Sequence, residues 1–289
     1  VGYIQLNSFT EGGAKEMRHA LIDLKKQGAT AFIIDLRGNG GGLLNEAVEI
    51  VNLFVPKDKV IETTKGKIKQ SNEVYKTQKA AIDTTSPVAV LVDGQTASAS
   101  EIVCGALQDM DRAVLMGQRS FGKGLVQTLM PLGYNAYAKI TTAKYYIPSG
   151  RCVQRINYSA HDGSNKEIIP DSLISEFTTR NGRKVYDGKG LMPDVKVEPE
   201  YISSFAMILY NLGYIEDFLD GYVRRNPNLK VDNRTFSISD SDYEEFVKFM
   251  ADKDVPYESQ TRLALELLQK TSKRRKRRES PTDSAREKI

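Results

Sequence analysis

The chain has 289 residues, 40% of them hydrophobic and 27% charged, with a formal net charge of +4, which is enough for one large core or two modest ones. Two cysteines and two histidines, widely spaced, make neither a disulfide framework nor a zinc site, and no stretch is long and apolar enough for a membrane-spanning helix. The charge is local: residues 271–289 hold eight Lys/Arg and three Asp/Glu, a net of +5, so the rest of the chain stands at −1.

Val1–Phe9 alternates as a strand does, and residues 11–27 carry Ala14, Met17, Leu21 and Leu24 on one helical face. The opening lacks the charged and apolar regions of a signal peptide and begins mid-strand, so a fragment or processed product is expected. Ala31–Leu36 is a short apolar run suited to a buried strand. Arg37-Gly38-Asn39-Gly40-Gly41-Gly42 then breaks regular structure, and a helix over Leu43–Val55 is stopped by Pro56. A polar hairpin region follows to about residue 80. Pro87–Val92 is the next buried strand, turned by Asp93-Gly94, then a helix over Ser98–Asp109 and a strand over Arg112–Met116. Strand–helix alternation of this kind predicts an α/β layer architecture.

From Leu125 to Tyr146 the pattern becomes strand after strand, and Asn157–Lys166 is loop-like. Residues 201–223 read as one helix, Ser241-Asp242-Tyr243-Glu244 as a capping box opening another, and 257–271 as the last. The domains expected are a core over 1–200, a helical region over 201–270 and a basic, disordered tail over 271–289. Cys104, within Ile102-Val103-Cys104-Gly105-Ala106-Leu107, is expected to be a buried small hydrophobe.

Three segments carry chemistry. Ser98 stands at a helix start, where free N–H groups and the positive end of the dipole offer what an oxyanion needs, Ala99 N–H first. Ser98-Ala99-Ser100-Glu101 also fits a plain capping box with Ser98 as N-cap. Gly40-Gly41-Gly42, between strand and helix, lets backbone approach a substrate and turn an N–H outward. It lacks the spacing of a dinucleotide fingerprint. Gly117–Lys123 mimics a phosphate loop, but Gly124 stands where Ser or Thr would hold magnesium and no helix follows. A serine needs a base to take its proton, and a lysine serves only where burial favours its neutral form. Lys123, flanked by Phe121 and Leu125, suits that role. His19 lies among charged residues and His161 in a polar loop, neither near an obvious Asp partner, so the sequence argues against a Ser-His-Asp triad.

Collinear runs from Asp35-Leu36-Arg37-Gly38-Asn39-Gly40-Gly41-Gly42, through Asp93–Asp109, Gly117–Gln127 and Thr141–Arg151, to Gly190-Leu191-Met192-Pro193-Asp194-Val195 resemble the carboxyl-terminal processing peptidases, or tail-specific proteases. The resemblance covers about residues 1–200. It implies a crotonase-like α/β core of mixed β-sheet with flanking helices. It implies a serine endopeptidase that cleaves proteins in their C-terminal regions without metal or cofactor. Ser98 would be nucleophile, Lys123 general base and Gln127 the residue that orients the lysine. Ala99 and Gly41 N–H would form the oxyanion hole. Gly40 stands where many members have Pro. On a straight strand Lys123 and Gln127 lie about 13 Å apart at roughly 3.3 Å per residue, so their pairing requires a bend near Gly122–Gly124. Asp109, about 16 Å along the helix from Ser98, is expected to be structural.

The resemblance further implies an extracytoplasmic setting, a bacterial periplasm with the full-length protein open to membrane anchoring. It also implies a PDZ domain ahead of Val1. The substrates implied are proteins or peptides with unstructured C-termini. A catalytically silent scaffold that binds peptide tails is the alternative, and intact Ser98, Lys123 and Gln127 argue against it. The block Lys273-Arg274-Arg275-Lys276-Arg277-Arg278 offers a contact for anionic membranes. Without interleaved aromatics it does not suit specific nucleic-acid binding. The helices after residue 201 are a separate subdomain or an element of a homo-oligomer.

Overall fold

A computed structural model describes residues 1–157, 167–199, 201–232 and 236–279. The chain divides into two compact units, Val1–Pro199 and Glu200–Ile289.

In the first unit the order is β1 (Gly2–Gln5), α1 (Gly13–Lys26), β2 (Phe32–Asp35), α2 (Leu44–Asn52), β3 (Val60–Gly66), β4 (Val74–Lys76), β5 (Val88–Val92), α3 (Ala99–Asp109) and β6 (Val114–Gly117). Then come β7 (Leu125–Gly133), β8 (Ala136–Tyr146), β9 (Ile156–Asn157), β10 (Glu167–Ile168), β11 (Glu176–Thr178), β12 (Lys184–Tyr186) and β13 (Val195–Lys196). Strands β1, β2, β5, β6 and β13 lie side by side in that order, each parallel to its neighbour. The alternation β1–α1–β2 and β5–α3–β6 requires this, because parallel neighbours need a crossover and a helix supplies it. Phe32, Ile34, Val90 and Leu115 are buried in this sheet, as continuous apolar runs of a parallel sheet should be.

A second, antiparallel sheet runs β4-β3-β8-β7. The mixed sheet expected from sequence is therefore divided into a parallel sheet and a separate antiparallel one, with β9-β10 and β11-β12 as two-stranded antiparallel ribbons. Strands β7 and β8 form a long hairpin turned at Tyr134 and Asn135, both at positive φ (49° and 58°), as a tight primed turn demands. Each of the eleven residues of α3 is buried. The helix is made of small and apolar side chains, and its four polar ones each have partners: Ser100, Glu101, Gln108 and Asp109. A buried polar group without a partner would cost too much. Cys104 is fully buried.

In the second unit, α4 (Ser204–Asn211) and α5 (Tyr214–Arg225) are separate helices. The single helix read over 201–223 breaks at Gly213, whose φ of 75° is left-handed and suits a helix terminus. Helix α6 (Asp240–Met250) opens on Ser239, not Ser241: the Ser239 N–H donates to Asp242 and the Asp242 N–H to Ser239 Oγ. Phe218 of α5 packs edge-on to Phe246 of α6 at 5.2 Å between centroids. Helix α7 spans Gln260–Glu279 and so runs on through 273–278, where a disordered tail was expected; Lys and Arg are good helix formers. Residues 280–289 and His161 lie outside the described residues.

Candidate active site

Two loops meet beyond the carboxyl ends of the adjacent strands β2 and β5, where open parallel sheets place their sites. Asp93 stitches them: its carboxylate accepts the N–H groups of Gly38, Gln95 and Thr96 at 2.9–3.1 Å. Thr96 Oγ1 donates to Leu36 O at 2.9 Å. Asn39, fully buried, is the second tie. Its Nδ2 donates to Leu6 O at 2.6 Å and its Oδ1 accepts Gly41 N–H at 2.9 Å. Its carbonyl accepts Ala97 N–H at 3.0 Å and Ser100 Oγ–H at 2.9 Å, one on each side of Ser98.

Ser98, half-buried, has φ 58° and ψ −117°. A non-glycine residue at positive φ is strained and persists only where its surroundings enforce it, which points from the geometry toward a functional position. Gly41, at φ 99°, backs directly onto it. A Cβ there would stand 2.8 Å from Ser98 Cβ and 2.9 Å from Ala99 N. Only glycine allows this approach.

The third segment is Ser120–Gly124, and Glu101 holds it to the head of α3. This fully buried carboxylate accepts Ser98 N–H at 3.0 Å and Lys123 N–H at 2.8 Å on Oε2, and Gly122 N–H at 2.8 Å and Ser120 Oγ–H on Oε1. Burial pushes its pKa up to about 7, against the pull of those four donors. Tyr145, buried on β8, sets its hydroxyl against Ser98 O (3.2 Å) and Lys123 O. The backbones of the serine and the lysine are thus joined twice, by a carboxylate and by a phenol.

A cavity of about 500 Å³ is lined by Gly41, Ser98, Ala99, Lys123, Gln127 and Lys139, with Leu43, Ile102 and Leu125 as apolar walls. All five residues singled out in the sequence therefore share one cavity. Gly122 stands at φ 87°, and the pairing of β7 with β8 shifts register between Val126 and Gln127. Among the described residues no hydrogen bond joins the side chains of Ser98, Lys123 and Gln127. Gly41 N–H, expected in the oxyanion hole, donates to Asn39 Oδ1, the acceptor two residues back in its own loop. Asp109 lies apart, pairing with buried Arg151 at 2.8 Å and accepting Ser149 N–H at 3.0 Å.

Sequence reasoning missed Asn39, Tyr145 and most of Glu101. The Ser98–Glu101 spacing carried a local signal, but nothing local announces that the same carboxylate reaches Gly122 and Lys123.

Residues 205–287 match the family described as "Probable PDZ-protease, C-terminal helical domain". A carboxyl-terminal-processing protease of Synechocystis sp. is 40% identical over 176 residues, 61% of this chain and 38% of that protein. Carboxy-terminal processing protease CtpA of Bacillus subtilis is 34% identical over 220 residues, 76% and 46% respectively. Among solved structures, a photosystem II D1 C-terminal processing protease superposes with a TM-score of 0.52 at 28% identity, covering 70% of this chain and 43% of that one. The chain spans less than half the length of each of these three. Residues 1–172 match peptidase family S41, more than half of the chain, and the protein belongs to that family.

Proposed function

We propose that this chain is the catalytic core of a serine endopeptidase that cleaves protein substrates in their C-terminal regions, on a crotonase-like α/β frame. Ser98 is the nucleophile and Lys123 the general base. Ser98 Oγ attacks the scissile carbonyl carbon while its proton passes to the neutral amine of Lys123. The C–N bond then breaks, and Lys123 returns the proton to the leaving amine. Water, deprotonated by the same amine, attacks the acyl carbon and releases Ser98. Gln127 orients the lysine. Ala99 N–H is one oxyanion donor, and Gly41 N–H is the second once it exchanges Asn39 Oδ1 for the developing charge. No step calls for a metal or organic cofactor.

The observation that carries this reading is the strained Ser98 at the head of α3, facing Lys123 across one cavity, with both backbones fixed by Glu101. A compartment outside the cytoplasm is part of this reading, and the match of residues 205–287 to a PDZ-protease helical domain supports an association with a PDZ module in the full-length protein. The test is cleavage of an unstructured protein with an apolar C-terminus. Ser98→Ala should abolish turnover and keep the circular-dichroism spectrum of the parent, and an active Ser98→Ala protein would end the assignment.

A second reading, a silent scaffold for peptide tails, has one observation in its favour: the dyad is not hydrogen-bonded here and Gly41 N–H is occupied. Retained peptide binding with no turnover under any condition would favour it.

A further inference from the structure

The catalytic cavity holds a second lysine, one that the reaction does not use. Lys139 lies on β8 opposite Leu129, two residue pairs up the hairpin from the Gln127–Thr141 pair, roughly 7 Å along the strands at about 3.3–3.4 Å per residue. It is exposed, and among the described residues its ammonium makes no hydrogen bond and no ion pair. No aspartate or glutamate lines the cavity with it. A lysine on a hairpin flank ordinarily finds a cross-strand carboxylate or points to solvent. This one instead shares about 500 Å³ with Ser98 and Lys123. An ammonium group in a concave site without an acid makes a field that concentrates anions. The rest of the wall is apolar, amide or hydroxyl, so the cavity contributes no competing counter-ion.

We infer that Lys139 is a specificity-determining residue that binds a substrate carboxylate two or three residues from the scissile bond. This rests on the peptidase reading above and deepens it. Two sources share that chemistry: the free α-carboxylate of a nearby chain end, and an Asp or Glu side chain within the sequence. In the first case the core itself reads the end of its substrate, whatever other modules accompany it.

Three fluorescent peptides of one sequence separate the sources: one with a free C-terminus three residues beyond the cleavage point, one amidated there, and one amidated with Asp at that position. Binding is measured by anisotropy on the Ser98→Ala chain and on Ser98→Ala with Lys139→Gln or Lys139→Glu. Cleavage is measured on the Ser98 chain and its Lys139 variants. We expect the carboxylate peptides to bind and to react about two- to fivefold better than the neutral one, the worth of an exposed ion pair. The ratio should collapse to about one in Lys139→Gln and fall below one in Lys139→Glu. Preference for the free terminus alone assigns the site to chain ends, and equal preference for the Asp peptide assigns it to any carboxylate. A ratio near one on the Lys139 chain, or a ratio kept in Lys139→Gln, overturns the proposal. The binding arm decides this even if no peptide is cut, so failure of the peptidase reading is separately visible.

Discussion

Removing Glu101 should cost both stability and catalysis, and two substitutions should cost different amounts. Glu101→Ala strands four buried donors: the N–H groups of Ser98, Gly122 and Lys123 and the hydroxyl of Ser120. At about 1–3 kcal/mol for each buried donor left without a partner, the loss is about 4 kcal/mol or more, at the exceptional end of single substitutions. Glu101→Gln is gentler. Its amide nitrogen can face Ser120 Oγ, a hydroxyl able to turn and accept, while its oxygen keeps Ser98 and Lys123. Gly122 N–H is orphaned and the turned Ser120 hydroxyl loses the acceptor for its proton, so about 2 kcal/mol or more is lost, half the alanine cost. The reverse flip would orphan both residues of the dyad segments and is disfavoured. Urea denaturation gives the stabilities, and kcat/KM on an unstructured protein substrate gives the catalytic cost. Glu101→Ala within about 1 kcal/mol of the parent, with unchanged kcat/KM, would refute the claim that this carboxylate fixes the two segments.

Other consequences follow from the same geometry. Gly41→Ala adds a methyl 2.7 Å from Ala97 O and 2.8 Å from Ser98 Cβ at a φ of 99°; we expect a loss of about 1–3 kcal/mol and about 100-fold in kcat/KM, and a fully active variant would show that the loop does not crowd the serine. Tyr145→Phe removes the hydroxyl set against Ser98 O and Lys123 O and should lower stability by about 1–2 kcal/mol with a fall in kcat; no change in either would deny the phenol its bridging part. Glu62, on β3, is fully buried with neither carboxylate oxygen partnered, and burial, with Glu73 adding to it, pushes its pKa up to about 8. The folded chain then holds a proton that the unfolded chain, at the ordinary 4.5, has released. Stability is full below about 4.5 and is lost as pH rises to about 8, by about 4–5 kcal/mol in all. Glu62→Gln should flatten that slope in urea titrations, and a slope unchanged by the substitution would place the titration elsewhere.

The central strands β2 and β5 were legible because Ala31–Leu36 and Pro87–Val92 are apolar runs too short for helices and bounded by Gly, Pro and Asp. The Ser98 and Lys123 segments stood out through their resemblance to a family, and the α3 start through its Ser-x-x-Glu spacing. What stayed hidden was long-range. Asn39 in a glycine-rich run looks like a turn residue, yet its side chain takes the Gly41 N–H and its carbonyl fixes both flanks of Ser98. Two overlapping capping patterns, Ser239 with Asp242 and Ser241 with Glu244, differ only in which serine the chain brings to the helix start. Gly213 could have sat within a helix at a cost of about 1 kcal/mol, and the chain instead uses it to end one.

The central claim is that Lys123 activates Ser98. A fluorophosphonate probe reacts only with an activated serine and needs no knowledge of the substrate, so its labelling rate, with peptide mapping of the adduct, tests the claim directly. The account predicts one adduct, on Ser98, formed at least about 100-fold more slowly in Lys123→Ala, the usual worth of a general base. An adduct on another residue, or equal labelling of Ser98 in Lys123→Ala, would contradict it.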